Sequence, residues 1–230
     1  MTPRVEIIGD CTLYLGDAEQ ILHGLPTYDA VVTDPPYGIG EAAGKNASRG
    51  NMAVAKDYGD DEWDNAPISD ELMHMVRSAG RWNIIFGGNY YDCPATSCWL
   101  VWDKLNGDND FADCELAWTN LPKAVRRIRY MWNGMLRANG ETRGDHPTQK
   151  PIGVMGWALR QIPAGVKTVI DPFMGSGTTG VACVQSGFSF IGIERETKYF
   201  DAACRRIEAE VSKPTLFAET ISKPVQDSFL

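Results

Sequence analysis

At 230 residues, 43% apolar and 23% charged, the chain has the size and composition of one ordinary globular domain, which excludes collagen-like, coiled-coil and disordered classes. Its net charge of −8 argues against a general nucleic-acid binder, because the mean field repels phosphate. The charge is uneven, however: Thr119 to Arg143 holds six basic residues against one acidic, leaving 16 basic and 29 acidic residues for the rest.

The opening "MTPRVEIIGDC" has no apolar segment with a cleavage site, and no apolar run is long enough to span a bilayer. A soluble, cytoplasmic protein with no membrane partner is expected. The six cysteines (Cys11, Cys93, Cys98, Cys114, Cys183, Cys204) form no Cys-x-x-Cys pair and have no histidines at zinc spacing, so reduced thiols and no metal are expected.

In chain order, the Val- and Ile-rich runs "VEII" and "DAVVT" alternate with helix-like stretches, the pattern of an α/β protein with a largely parallel sheet. "DAVVT" runs into "DPPYG". Proline cannot donate to a sheet ladder and forces the preceding residue into extended conformations, so Pro35 and Pro36 end the strand and stiffen the chain where Asp34 and Tyr37 emerge. Residues 38 to 65, glycine-rich and then acidic, read as a substrate-gating loop.

"SDELMHMVRSAG" predicts a helix capped by Ser69, with Asp70 and Glu71 in its first turn and Leu72, Met75, Val76 and Ala79 on one face. "WNIIFGG" and "SCWLVWDK" read as strands. In "AVRRIRYMW", Ile128, Tyr130 and Trp132 alternate with Arg127, Arg129 and Met131, which places basic side chains on one strand face. "KTVID", a glycine-rich turn, "TTGVACVQSG", "FSFIGIE" and "TKYFDAACRRIEAEV" then form a strand, turn, helix, strand, helix series.

The turn "DPFMGSGTTG" carries Gly175, Gly177 and Gly180 in the spacing Gly-x-Gly-x-x-Gly, and Glu194 ends the following strand, where a carboxylate can accept from both ribose hydroxyls. On spacing alone an NAD-binding fold competes. Asp171 opposes it, because a carboxylate at the loop entrance repels a pyrophosphate and favours a ligand bearing an ammonium or sulfonium group.

"TDPPYG", "HPTQKP" (residues 146–151) and "DPFMGSGTTG", in that order, resemble the amino-group DNA methyltransferases of the permuted β subgroup. The resemblance implies a Rossmann-like, S-adenosylmethionine-dependent α/β fold with a mostly parallel seven-stranded sheet and helices on both faces. It implies a single methyltransferase domain over residues 1–230, with a target-recognition insert at about 105–145 alongside the gating loop.

By the same resemblance, Asp171, Phe173, Gly175, Ser176, Gly177 and Thr178 surround the methionine part of S-adenosyl-L-methionine and Glu194 holds its ribose. Asp10 and Cys11, in "GDC", meet its adenine, and Thr148, Gln149 and Lys150 lie near its carboxylate, with a solvated charge the alternative for Lys150. Asp34, Pro35, Pro36 and Tyr37 form the catalytic set. Asp34 and a proline carbonyl, that of Pro35, accept from both protons of an exocyclic base amine and free its lone pair, while Tyr37 stacks on a base turned out of the duplex.

Carbon methylation of cytosine needs a cysteine nucleophile within Pro-Cys, which is absent; Cys93 precedes Pro94 instead. The expected reaction is methylation of adenine N6 in double-stranded DNA, with cytosine N4 the alternative and a partner-dependent DNA-binding subunit the alternative of another class. Arg126, Arg127 and Arg129 are the expected DNA contacts. A homodimer and a cognate restriction enzyme are left open.

Overall fold

The computed structural model describes residues 3–38, 67–106, 112–133, 136–137 and 149–213. The chain starts with a hairpin, β1 (Arg4–Ile8) against β2 (Cys11–Leu15), turned at Gly9, whose φ of +56° suits a residue without a side chain. After α1 (Ala18–Leu22), β3 (Tyr28–Thr33) leads into Asp34. The helix expected from "SDELMHMVRSAG" is α2 (Asp70–Ser78), where Ser69 accepts from the Leu72 amide at 3.1 Å. Met73 and Val76 are its most buried residues, and Leu72, Met75 and Ala79 pack beside them.

The strands β4 (Gly80–Phe86), β5 (Trp99–Asp103), β6 (Cys114–Thr119) and β7 (Arg126–Arg129) follow, with a 3-10 turn at Gly88–Tyr90 after β4. The short pair β8 (Trp132–Asn133) and β9 (Leu136–Arg137) forms a separate ribbon. The chain continues through α3 (Ile152–Leu159), β10 (Thr168–Asp171), α4 (Thr178–Ser186), β11 (Ser189–Glu194) and α5 (Thr197–Val211).

The large sheet runs β1-β2-β11-β10-β3-β4-β6-β5-β7. It is mostly parallel, as expected, yet among the described residues it has nine strands rather than seven. The antiparallel β1 extends one edge, and β7, parallel to β5, extends the other. β6 and β7 lie within the stretch expected to be an insert, but both are strands of this sheet. The expected gating loop falls almost wholly outside the described residues.

Alternating strand residues feed two cores. Leu13, Ala30, Val32, Ile84, Val169 and Phe190 pack on one face with α3, α4 and α5, whereas Val31, Ile85, Ile170, Ile191 and Ile193 pack on the other with α1 and α2. β10 connects through α4 to β11 on one side, and β3 connects through α2 to β4 on the opposite side. The two departures leave a crevice at the carboxyl ends of β3 and β10, where open α/β sheets bind ligands.

Candidate active site

Asp34 leaves β3 at this crevice, and buried Pro35 and half-buried Pro36 set the path to Tyr37. The Tyr37 hydroxyl donates to Asp34 Oδ1, and Tyr91 donates to the Pro36 carbonyl. The Tyr37 ring stacks on Tyr90 with centroids 5.1 Å apart and planes 20° from parallel. It also lies flat against Gly87, where an added Cβ would sit 2.0 Å from Tyr37 Cε1, so this position in "IIFGG" has to be glycine.

On the far side of Asp34, Lys150 places its ammonium 2.5 Å from Oδ2, 3.3 Å from the Tyr37 hydroxyl and 3.0 Å from Glu115 Oε2. Lys104 Nζ in turn pairs with Glu115 Oε1 at 2.5 Å. Burial works against a charge on Lys150, but Asp34 and Glu115 outweigh it and hold the ammonium above its ordinary value. Burial would raise Glu115, and the two lysines reverse this so that it falls below the ordinary carboxylate range. Burial lifts Asp34, reinforced by Glu115 and opposed by Lys150 and Tyr37, and burial followed by Asp34 pushes the Tyr37 phenol well up.

Beside this cluster, the turn after β10 is braced from below. Asp171, 2% exposed, accepts from the Thr33 and Thr179 hydroxyls at 2.6 Å each and from the Phe173 amide at 3.0 Å. Its carboxyl therefore joins β3, β10 and α4 instead of lining the crevice directly, and burial raises it to about 6. Gly175 (φ +52°) and Gly177 (φ +80°) turn the loop, and at Gly177 a Cβ would meet the Ala203 Cβ at 2.8 Å.

Arg206 on α5 donates to the Ser176 carbonyl at 2.6 Å, to Ser176 Oγ at 2.8 Å and to Thr178 Oγ1 at 3.2 Å, and Ser176 Oγ donates to Gln149 at 3.2 Å. Glu194 accepts from the Glu196 amide at 2.7 Å and from the Gly175 amide, so its carboxylate faces the turn; burial raises it to about 7.

The expected sites thus converge in large part, with corrections. Lys150 is neither a solvated charge nor directed at the turn: two half-buried carboxylates hold its ammonium beside Asp34, while its neighbour Gln149 meets the turn. Asp10 and Cys11 lie at the opposite edge of the sheet. Cys11 pairs with Phe190 at the start of β11, whereas Leu15 pairs with Glu194 at its end, so Asp10 is about 16 Å from the crevice by strand rise. Cys11 is instead a core thiol that burial pushes up to about 11.

The Gly-Asp pair that does reach the site edge is Gly16-Asp17, where Gly16 donates to the Glu194 carbonyl at 2.9 Å and Asp17 caps α1. This second Gly-Asp step, directly before α1, was visible in the sequence, and its position at the end of "CTLYL" was the available signal. Thr148 lies outside the described residues. Arg126, Arg127 and Arg129 are exposed on β7, with Arg129 3.3 Å and Arg127 4.0 Å from Asp103, four strands or about 19 Å from β3. Tyr90, Tyr91, Glu115, Lys104 and Arg206 were not anticipated; only the two tyrosines, directly after the strand beside β3, had a positional signal.

The arrangement is a doubly wound α/β domain whose switch point carries a glycine-rich turn with a buried acid, next to a proline-stiffened carboxylate. Residues 94–205, just under half of the chain, match the family model described as DNA methylase.

Among curated proteins, the Type II methyltransferase M2.MboI of Moraxella bovis is 41% identical over 142 residues, 62% of this chain and 45% of that one. M2.DpnII of Streptococcus pneumoniae is 42% identical over 86 residues, 37% of this chain and 32% of that one. The chain thus spans less than half the length of either relative. The M1.HpyAVI-SAM complex shares the fold with a TM-score of 0.55 at 24% identity, covering 86% of this chain and 98% of that one. PvuII DNA methyltransferase, cytosine-N4-specific, does so with 0.53 at 18% identity, covering 89% and 90%. Among the described residues no helix is long and apolar enough to cross a membrane.

Replacing Lys150 with methionine strands two half-buried carboxylates, and the expected loss of stability at pH 7.5 is about 3 kcal/mol, the low end for a broken buried pair. Both acids would then titrate higher in the folded than in the unfolded chain. The native state binds more protons, so the loss shrinks as pH falls toward 5.5. Urea denaturation at the two pH values measures this, and an equal loss at both would contradict it.

Proposed function

We propose that the protein transfers a methyl group from S-adenosyl-L-methionine to the exocyclic N6 amine of an adenine in double-stranded DNA. The observation that carries the reading is the position of Asp34: a carboxylate at the end of β3, fixed by two prolines, at the switch point beside the glycine-rich turn. The DNA methylase match over residues 94–205 and the Type II methyltransferase relatives support it.

The residues at the turn fit this cofactor. Glu194 is a half-buried acceptor suited to two ribose hydroxyls, and the Asp171 charge beneath the loop suits a ligand bearing a sulfonium and an ammonium. Gly175 and Gly177 let the backbone approach closely, and Phe173, Ser176, Thr178 and Gln149 border the same turn. When bound, the cofactor supplies an electrophilic methyl group on a sulfonium centre.

The chain's part is to prepare the nucleophile. A base amine is weakly nucleophilic because its lone pair is delocalised into the ring. Asp34 accepts from one amine proton and the Pro35 carbonyl from the other, drawing nitrogen toward tetrahedral geometry; Pro36, its own carbonyl held by Tyr91, keeps that segment in place. Tyr37, backed by Tyr90, offers the extruded base an aromatic face, which offsets part of an unstacking cost on the order of a few kcal/mol. Arg126, Arg127 and Arg129, the last two sharing Asp103 as counter-charge, form an exposed basic strand for the DNA backbone.

The decisive experiment incubates the protein with unmethylated DNA and S-adenosyl-L-methionine and analyses nucleosides by mass spectrometry. N6-methyladenine is expected, and N4-methylcytosine or no product would refute the substrate assignment. In the same assay Asp34→Ala should lower turnover at least about 10²-fold with cofactor binding retained.

Cofactor affinity should weaken about tenfold from pH 8 to pH 6 as Glu194, which titrates at about 7, takes up a proton. Calorimetry on wild type and Glu194→Gln tests this, since the variant should lose that slope.

Arg127→Ala with Arg129→Ala should weaken DNA binding at all sequences and flatten the salt dependence by about one unit of slope for each phosphate no longer neutralised. Binding isotherms at several salt concentrations would expose an unchanged slope and so displace the DNA from β7.

A further inference from the structure

Four charges of alternating sign run in line through the base of the site: Lys104, Glu115, Lys150 and Asp34. Only Asp34 has a part in the chemistry proposed above. Lysine is a flexible stem with a point charge and three donors, so one partner at Asp34 would leave it free to rotate. Lys150 is 8% exposed, its ammonium lies 5.6 Å from the centroids of both the Tyr37 and Phe86 rings, and its second carboxylate partner is Glu115 at 3.0 Å.

Glu115 stands on a strand whose pairing with both neighbours is fixed: it faces Trp102 of β5, and further along β6 Ala117 pairs with Phe86 of β4. Lys104, 2.5 Å away and 5.1 Å above the Trp102 ring, holds its other oxygen. Glu115 is therefore held by strand pairing and by Lys104, whereas the Lys150 ammonium, at the end of a long stem, owes its place to its partners.

We propose that Glu115 is a positioning residue for Asp34, acting through Lys150. It fixes the ammonium on Oδ2, so that Oδ1 faces the crevice where a base amine would enter, and it shares the lysine's charge so that Asp34 stays a strong acceptor. This rests on the reading of Asp34 as the acceptor for that amine. Among the described residues, the titratable groups around Asp34 are Tyr37 on its own segment, Lys150 before α3, Glu115 on β6 with Lys104 behind it, Tyr91 on the Pro36 carbonyl, and Asp171 beneath through Thr33. Glu115 raises Asp34 by its charge, with no hydrogen bond between them.

The test compares wild type, Glu115→Gln and Glu115→Asp by two readouts: steady-state methyl transfer across pH, and 13C NMR titration of the Asp34 carboxyl, assigned with Asp34→Asn. Glu115→Gln should lower kcat at least about tenfold with KM for DNA and cofactor affinity unchanged. It should also move both the acid limb of kcat and the Asp34 midpoint to lower pH, because a nearby negative charge has gone. Glu115→Asp should recover part of each effect.

Wild-type kcat and an unmoved midpoint in Glu115→Gln would overturn the proposal, as would a fall in activity that only tracks a smaller folded fraction. Should wild type transfer no methyl group at all, the functional reading fails while the Asp34 midpoint still decides this one.

Discussion

The ammonium of Lys150 between Asp34 and Glu115 is the interaction on which the site depends. Without it, β3 would end in a half-buried carboxylate near another on β6, two strands away, and the sheet would bring like charges together with little water between them. With it, and with Lys104 behind, two negative and two positive groups cancel in a largely buried line. The same side chain joins the segment before α3 to the end of β3, so the two halves of the chain that flank the switch point are held by charge as well as by strand pairing. Gln149, one residue earlier, reaches the glycine-rich turn. One dipeptide therefore touches both halves of the site.

Beneath these interactions lies the sheet. β2, β11, β10, β3 and β4 are parallel, so their carboxyl ends form one edge, and Gly16, Glu194, Asp171, Asp34 and Gly87 all stand at it or just past it. Asp171 stabilises that edge by bonding Thr33 and Thr179, a buried acid whose hydrogen bonds are made locally and whose charge remains under the loop. Arg206 performs the matching task above, tying the Ser176 backbone to α5.

What the sequence made legible was local. The glycine-rich turn, the proline-stiffened aspartate, the Ser69 cap and the alternation in "AVRRIRYMW" each depend on residues close in the chain, and each is found where local chemistry put it. The failures are of pairing. "VEII", read as the opening strand of a parallel sheet, is the outer arm of a hairpin, and "CTLYL" is the strand beside β11; that one slip set the Gly-Asp pair expected at the crevice on the opposite edge of the sheet. Glu115 had no signal at all, since an acid in a strand of mixed burial looks like any surface residue until β6 is seen to run antiparallel beside β4.

The pairing of Tyr37 with Asp34 bears on how a substrate would enter. With its hydroxyl on Asp34 and its ring flat on Gly87, Tyr37 already engages the acceptor that a base amine requires on the proposed reading. The site is thus self-complementary, and substrate entry becomes an exchange of donors, phenol for amine, instead of the capture of an unpartnered carboxylate. Such an exchange is close to neutral in hydrogen bonds, so the selectivity of the step falls on what else the incoming base can offer: an aromatic face broad enough to replace the packing that Tyr37 gives up.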